Sequence, residues 1–278
     1  MSCLDSDQQS KNVVRILSID ENSIHEIPYR YVQPGGSQSV ERLKIQIAQV
    51  DQLPTLIDAI VLTSDLQARE LIGDLLLAEV LAQELIAMAD LELIPPESRT
   101  GIVFAGDLFA RQALDKRGCM GDVRDVWIKF ASSFRWVTGV AGNHDSFGKT
   151  KAQQEAFQQV QGVHYLDGNS IELDHIQIAG LGGIIGKPIK PQRRNETDFI
   201  DSLRKLLKQK PDVCVLHQEP DLPDQNLKGE PSIRRELLAQ TNDLFVVCGR
   251  SHWPTPVADL SPNIQLVNVD MRVLILMQ

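Results

Sequence analysis

Five short polar clusters, each closing an apolar run, constrain most strongly what this chain can fold into. Asp65-Leu66-Gln67 follows AIVLTS, Gly106-Asp107 follows GIVFA, and Gly142-Asn143-His144-Asp145 follows WVTGVA. His217 closes DVCVL, and Gly249-Arg250-Ser251-His252 follows LFVVC. Short runs rich in Val, Ile and Leu read as strands buried on both faces, so each cluster falls at a strand's carboxyl end. That edge is where open α/β sheets build their sites. Asp, Asn and His converging there are hard oxygen and imidazole ligands suited to divalent Mn, Fe, Zn or Mg. The set reads as a metal-dependent hydrolase site.

The chain has 278 residues, 42% hydrophobic and 23% charged, enough to bury a full core as one large domain, with or without a small extension. A net charge of −9 gives no global attraction for nucleic acid, which shows as a basic face or stripe. Nucleic acid is therefore not favoured as a partner, although a local basic groove stays open. Cys3, Cys119, Cys214 and Cys248 are far apart, and two of them close apolar runs. They read as buried thiols of a reducing compartment rather than a disulfide framework. The start lacks a basic segment followed by an apolar core. The most apolar long stretch, 71–89, is interrupted by Asp74, Glu79 and Glu84, which a plain membrane-spanning helix does not tolerate. The expectation is a cytoplasmic protein without membrane contact, its oligomeric state left open.

Residues 1–12 are polar and expected to be disordered. Between 13 and 55, VVRILSI, IHEIPYRYV and LKIQIAQV flank DENS and QPGGSQ, which predicts a short antiparallel extension (1–55) leading into the main domain (56–278). From there the pattern predicts strand 58–64, helix 68–89, strand 101–105, helix 122–133, strand 135–140 and helix 151–159, an α/β succession with parallel crossovers. Beyond 162 come VHYL, SIEL and IQIAGL, a helix over 196–209, the strand ending at His217 and a helix over 231–240. Strands near 244, 255, 264 and 272 make the tail read as an antiparallel meander.

The order and types of the clustered residues resemble the calcineurin-like metallophosphoesterase family, whose signature runs Asp-x-His, Gly-Asp-x-x-Asp, Gly-Asn-His-Asp/Glu, a lone His, then Gly-His-x-His. The resemblance covers residues 58 to about 277. Gly142 to Asp145 and His217 match closely. Gln67 stands where the first His is usual, Ala110 where the second Asp of the second motif is usual, and Arg250 where the first His of the last motif is usual. The resemblance implies a four-layer αββα sandwich, two mixed sheets face to face between helices. It implies hydrolysis of phosphate esters or pyrophosphates, with a phosphorylated small molecule or nucleotide as substrate and one or two divalent ions as cofactor, Mn before Fe, Mg or Zn.

Carried over residue by residue, the resemblance places Asp65, Gln67, Asp107 and His252 around one ion. Asp107, Asn143 and His217 surround the other, with Arg250 in the remaining ligand position. A Gln at position 67 can supply a neutral carbonyl oxygen and also resembles one branch of the family, the manganese-dependent ADP-ribose and CDP-alcohol pyrophosphatases. Arginine has no lone pair to donate and cannot be a ligand. Its guanidinium either swings away to grip the substrate phosphate in bidentate fashion, or points inward and partly replaces the second cation. His144 matches the family's catalytic histidine, which protonates the leaving-group oxygen while a metal-activated water attacks phosphorus. Asp145 is then expected to accept a hydrogen bond from that imidazole and orient it.

Blander readings stand beside these. GNHD alone also fits a turn whose Asn and Asp cap a helix, and Ser64 or Asp65 also fits a helix N-cap. Arg111, Lys116, Arg117 and Arg124 suit either a phosphate contact or a solvated loop, with the loop favoured. GLGGIIGKP is a poor phosphate-loop match, with Arg193 and Arg194 after it as substrate contacts. Trp253 reads as packing, and His25, His164 and His175 as ordinary histidines. Two function classes follow: a phosphoester or pyrophosphate hydrolase, or a catalytically weakened fold that binds a protein or nucleotide.

Overall fold

The structure, a computed structural model, describes residues 13–33, 35–116 and 118–278. The expectations for residues 1–12, and for Cys3 and Arg117, lie outside the described residues.

Two mixed sheets carry the polar clusters. The larger runs in the order Val163–Tyr165, Trp136–Gly139, Thr100–Phe104, Ala59–Thr63, Val273–Met277, Gln38–Val50, His25–Val32 and Arg69–Glu70, with Ile16–Ile19 also paired to Gln38–Val50. The second runs Asn169–Leu173, Ile176–Leu181, Val213–Leu216, Leu244–Cys248, Ile264–Asn268 and Val257–Ser261. Four strands on one side of the first sheet are mutually parallel, from Ala59–Thr63 out to Val163–Tyr165. Four in the second are parallel as well. Strand residues alternate between faces, and the alternation sorts the core into layers. Ile60, Leu62, Val103 and Val140 meet Ile178, Val215, Phe245 and Val267 between the sheets. Val61, Ile102 and Phe104 face the helices Leu77–Asp90, Arg124–Ser133 and Lys151–Gln158. Cys214, Leu216, Val246 and Leu266 face Glu196–Leu207 and Pro231–Leu238. This is the four-layer αββα arrangement.

Three local differences from the sequence reading have physical causes. The first long helix spans Leu77–Asp90 and does not begin at 68. The Glu79 carboxylate accepts the Leu76 amide at 2.8 Å, which closes the first turn there; residues 69–70 pair instead with Tyr29 and Arg30. The tail is not one meander. Val257–Ser261 and Ile264–Asn268 are antiparallel neighbours in the second sheet, but Val273–Met277 crosses to the first, antiparallel to Ala59–Thr63 and parallel to Gln38–Val50. Val273 and Ile275 are buried on the helical side, and Leu274 and Leu276 between the sheets. A strand apolar on both faces is satisfied only inside a sheet. Finally, of the cysteines, Cys214 and Cys248 are buried and free, whereas Cys119 is part-exposed. Among the described residues no helix is long and apolar enough to cross a membrane.

Aromatic rings fix the edge that carries the clusters. Trp127 contacts Phe104, Phe147, Phe157 and Tyr165 edge-on, and Phe147 stacks on Phe157 at 4.8 Å. Phe147 thereby anchors the loop that follows Asp145. Beside it Gly139 sits at φ 140, where an added Cβ lies 2.0 Å from the Phe104 carbonyl oxygen. Gly139→Ala is expected to cost about 2–4 kcal/mol through backbone strain and overpacking. Chemical denaturation measures it, and an unchanged midpoint sinks the argument.

Candidate metal centre

Asp65, Asp107 and His217 each offer one ligand atom within 4.8 Å of the others. Each leaves the carboxyl end of a different strand. Asp65 and Asp107 take left-handed backbone angles, φ 57 and 56, which Asp adopts at lower cost than most residues because its short side chain bonds locally. The chain thereby turns sharply off each strand, and the Asp65 amide donates to the Gly106 carbonyl at 2.8 Å. Asp65 Oδ2 accepts from the Ser64 hydroxyl and the Arg250 amide, each at 2.7 Å.

His217 is wholly buried. Its Nδ1–H donates to the Ala105 carbonyl at 2.7 Å, while Nε2 lies 3.4 Å from Asp107 Oδ2 with no hydrogen-bond partner of its own. A backbone carbonyl on one ring nitrogen is how proteins orient a ligating histidine. Burial opposes a charge on this ring, but the Asp107 and Asp65 carboxylates outweigh it and push His217 up to about 10. Burial also pushes Asp65 well above the usual carboxylate range, with further upward pressure from Asp270 and Asp107 partly offset by His217. Burial raises Asp107 too, but the His217 charge 3.4 Å away more than offsets it, and its net shift is downward. A bare cluster of this kind needs positive charge. The orphaned Nε2 and two buried carboxylates fit a divalent cation, whose charge supplies what the extra proton on His217 otherwise does.

The remaining residues divide. Gln67 donates from Nε2 to Asp107 Oδ2 at 2.9 Å, so its amide nitrogen, not the expected carbonyl oxygen, faces the Asp107 carboxylate. Asn143 and His144 line the same cleft. His252 stands apart from the three. It is exposed, its Nε2 lies 2.9 Å from an Arg272 guanidinium N–H donor, and Nδ1 lies 3.2 Å from the Asp270 carbonyl. Arg250 also takes a left-handed angle, φ 68, and its guanidinium lies 3.8 Å from the buried Glu219 carboxylate. The guanidinium lines the cleft with Glu219 beside it.

Asp145 does not orient the His144 ring. Its Oδ2 accepts the amides of Asp107 at 2.7 Å and Gly142 at 3.0 Å, and Oδ1 accepts that of Leu108 at 2.9 Å. A wholly buried carboxylate finds its donors in the nearest unpaired backbone, and here two loops supply them. Burial and the Asp107 charge still raise its pKa to about 6. The His144 ring packs instead against the Gly118 backbone, and burial lowers its pKa. The close approach of the loops also requires Gly142, since a Cβ there falls 1.9 Å from Asp107 Oδ1.

Several cleft residues escaped the sequence reading: Asp270, Arg272 and, buried behind Arg250, Glu219. Glu219 sits two places after His217 in LHQEP, the one local signal available. Arg193 lines the cleft, while Arg194 is bound to Asp167 and the Gly182 carbonyl. Arg111 and Arg124 pair with Asp115 and Asp122, as in a solvated loop. At Ala110, where the second Asp was usual, Arg69 donates to the backbone carbonyl at 2.6 Å. Trp253 is packed, its Nε1–H donating to Lys228 O at 2.8 Å.

The model of the calcineurin-like phosphoesterase family matches residues 59–254. No curated protein sequence matches the chain. Among solved structures, phosphopantetheinyl hydrolase PptH from Mycobacterium tuberculosis is 12% identical with a TM-score of 0.42, the match covering 77% of this chain and 90% of that one. Sulfate thiohydrolase SoxB from Thermus thermophilus is 12% identical with a TM-score of 0.39, over 79% and 53%.

Asp145→Asn replaces one acceptor oxygen with a donor facing backbone N–H groups. Loss of at least one buried hydrogen bond is expected to cost about 1–3 kcal/mol, read as a lowered thermal midpoint. An unchanged midpoint removes the clamp role.

Proposed function

Because the chain belongs to the calcineurin-like phosphoesterase family, we propose that it is a metal-dependent hydrolase of phosphate esters or pyrophosphates. The observation that supports this most is the buried convergence of Asp65, Asp107 and His217 with the unpartnered His217 Nε2. These three residues would hold the cation, with Gln67, Asn143 and His252 at its margin. Oxygen-rich donors of this kind favour Mn or Mg. When bound, the ion supplies Lewis-acid polarisation of the phosphoryl group and a water of lowered pKa.

The chain's own residues supply the rest. Arg250 presents a guanidinium at the cleft wall that can take a non-bridging phosphoryl oxygen, and Glu219 restrains it from behind. His144 lies beside Asn143 at the mouth of the centre, its backbone amide donating to Asp107 Oδ1 at 2.7 Å. Burial favours its neutral form, and an anionic phosphoryl group beside it favours the protonated one. The ring then holds a proton at the position from which a leaving-group oxygen can take it.

A second reading, a weakened fold that binds ligand without turnover, draws support from Arg250 and from the engagement of His252 by Arg272. Metal content and hydrolysis separate the two. Bis-p-nitrophenyl phosphate turnover by metal-stripped protein resupplied with Mn, Mg, Fe(II) or Zn is expected to fall at least ~100-fold in Asp107→Asn. That variant keeps the acceptor for the His144 amide, so the protein stays folded. Equal turnover in variant and parent removes the role given to Asp107. Arg250→His is expected to raise the metal bound per chain, measured by elemental analysis; an unchanged ratio means that position 250 does not face the second metal position.

A further inference from the structure

The cleft over the metal centre has a volume of about 1200 Å³, more than a phosphoryl group requires. One wall is built by the hairpin of His25–Val32 and Gln38–Val50, which lies outside residues 59–254. Register sets its height. Thr63, at the end of its strand, pairs with Val273, and Val273 pairs with Ile45. From that level Gln38–Val50 continues past the carboxyl edge of the sheet, because it runs antiparallel to Ala59–Thr63. At about 3.3 Å per residue, Glu41 rises roughly 13 Å above that level and Asp65 roughly 7 Å. With two interstrand steps of about 4.8 Å, their Cα atoms come out roughly 12 Å apart.

Glu41 faces Tyr29 across the hairpin. The Tyr29 hydroxyl donates to its Oε2 at 3.1 Å and the Tyr31 hydroxyl to its Oε1 at 2.6 Å. The rings lie 5.8 Å apart. Burial, and then the Glu41 charge, raises the Tyr29 pKa, so that phenol remains a donor. Among the described residues no cation pairs with Glu41. An ionised carboxylate has about four acceptor positions, and the two phenols use one on each oxygen. One acceptor is left on each, side by side on an exposed residue that lines the cleft.

We propose that Glu41, clamped by Tyr29 and Tyr31, is a leaving-group subsite that accepts both hydroxyls of a vicinal diol. This rests on the hydrolase reading above and narrows the substrate to a phosphoester of a sugar or nucleoside with a free cis-diol. Two adjacent hydroxyls match two adjacent acceptors, the way a single acidic side chain receives ribose in dinucleotide sites. The phosphoryl group then lies at the Asp65–Asp107–His217 end and the sugar against the hairpin.

The test is calorimetric binding of AMP, 2′,3′-dideoxyadenosine 5′-monophosphate and inorganic phosphate to the full chain with Mn. AMP is expected to bind about tenfold more tightly than its dideoxy analogue. Glu41→Ala should bring that ratio to about one and Tyr31→Phe should reduce it, with phosphate affinity unchanged in both. A role confined to hairpin stability would shift the thermal midpoint without moving the ratio. The proposal is overturned if parent protein binds the two nucleotides equally, if the ratio survives Glu41→Ala, or if that variant weakens phosphate to the same degree. Absence of phosphate binding together with absence of bis-p-nitrophenyl phosphate turnover overturns the hydrolase reading itself, a different result.

Discussion

The Asp145 carboxylate is the constraint on which the centre depends. Strands in the first sheet end at Phe104 and Gly139, and nothing in strand pairing alone dictates how the two following loops meet. Three amides from those loops, Asp107, Leu108 and Gly142, converge on one buried carboxylate. Their alternative is to go unpaired in the interior, at a cost of about 1–3 kcal/mol each. The clamp therefore fixes the backbone at Asp107, and that backbone aims Asp107 at His217 and Gln67. A residue that looked like an orienter of the His144 ring acts one step earlier, on the geometry of the Asp65–Asp107–His217 cluster.

Held in that geometry, the cluster is electrostatically incomplete. Two buried carboxylates and an imidazole within a few ångströms drive Asp65 towards its protonated form and His217 towards its charged form. This is the response of like charges that lack a counter-ion in a low-dielectric site. The Arg250 guanidinium already has a buried carboxylate partner in Glu219. A divalent cation relieves the strain at Asp65, Asp107 and His217 together, which is why the donor set and its environment point the same way.

How much of this was legible in the sequence follows from the range of each interaction. Strand ends were legible because apolar runs stop where burial stops, so Asp65, Asp107, Asn143 and His217 could be placed on one edge. The layered architecture followed from the same runs together with the family resemblance. The start of the first helix was not, since the Glu79 contact with the Leu76 amide competes with an apolar pattern that continues through residue 68. The ring partner assigned to Asp145 failed because a fully buried carboxylate seeks the nearest unpaired amides, and two of the three come from a loop 37 or 38 residues earlier. Asp270 and Arg272 reach the cleft only because the chain crosses between sheets just there, and no local signal marks a crossing.

That crossing also decides what kind of wall the hairpin makes. Without Val273–Met277, the Gln38–Val50 strand has no neighbour on that side, and the hairpin keeps only His25–Val32, the short Ile16–Ile19 and the two-residue Arg69–Glu70 as sheet partners. With it, the hairpin is bonded in register to a strand that is itself bonded to the Asp65 strand. Ile27, Tyr29, Leu43 and Ile45 pack into the helical-side core with Tyr31 against it, and Tyr29, Tyr31 and Glu41 also line the cleft. The spacing between Glu41 and Asp65 is therefore set by sheet hydrogen bonds and not by a flexible linker. A subsite on such a wall can measure the distance from a phosphoryl group to the sugar behind it, which is how a shared metal chemistry acquires a preference among esters.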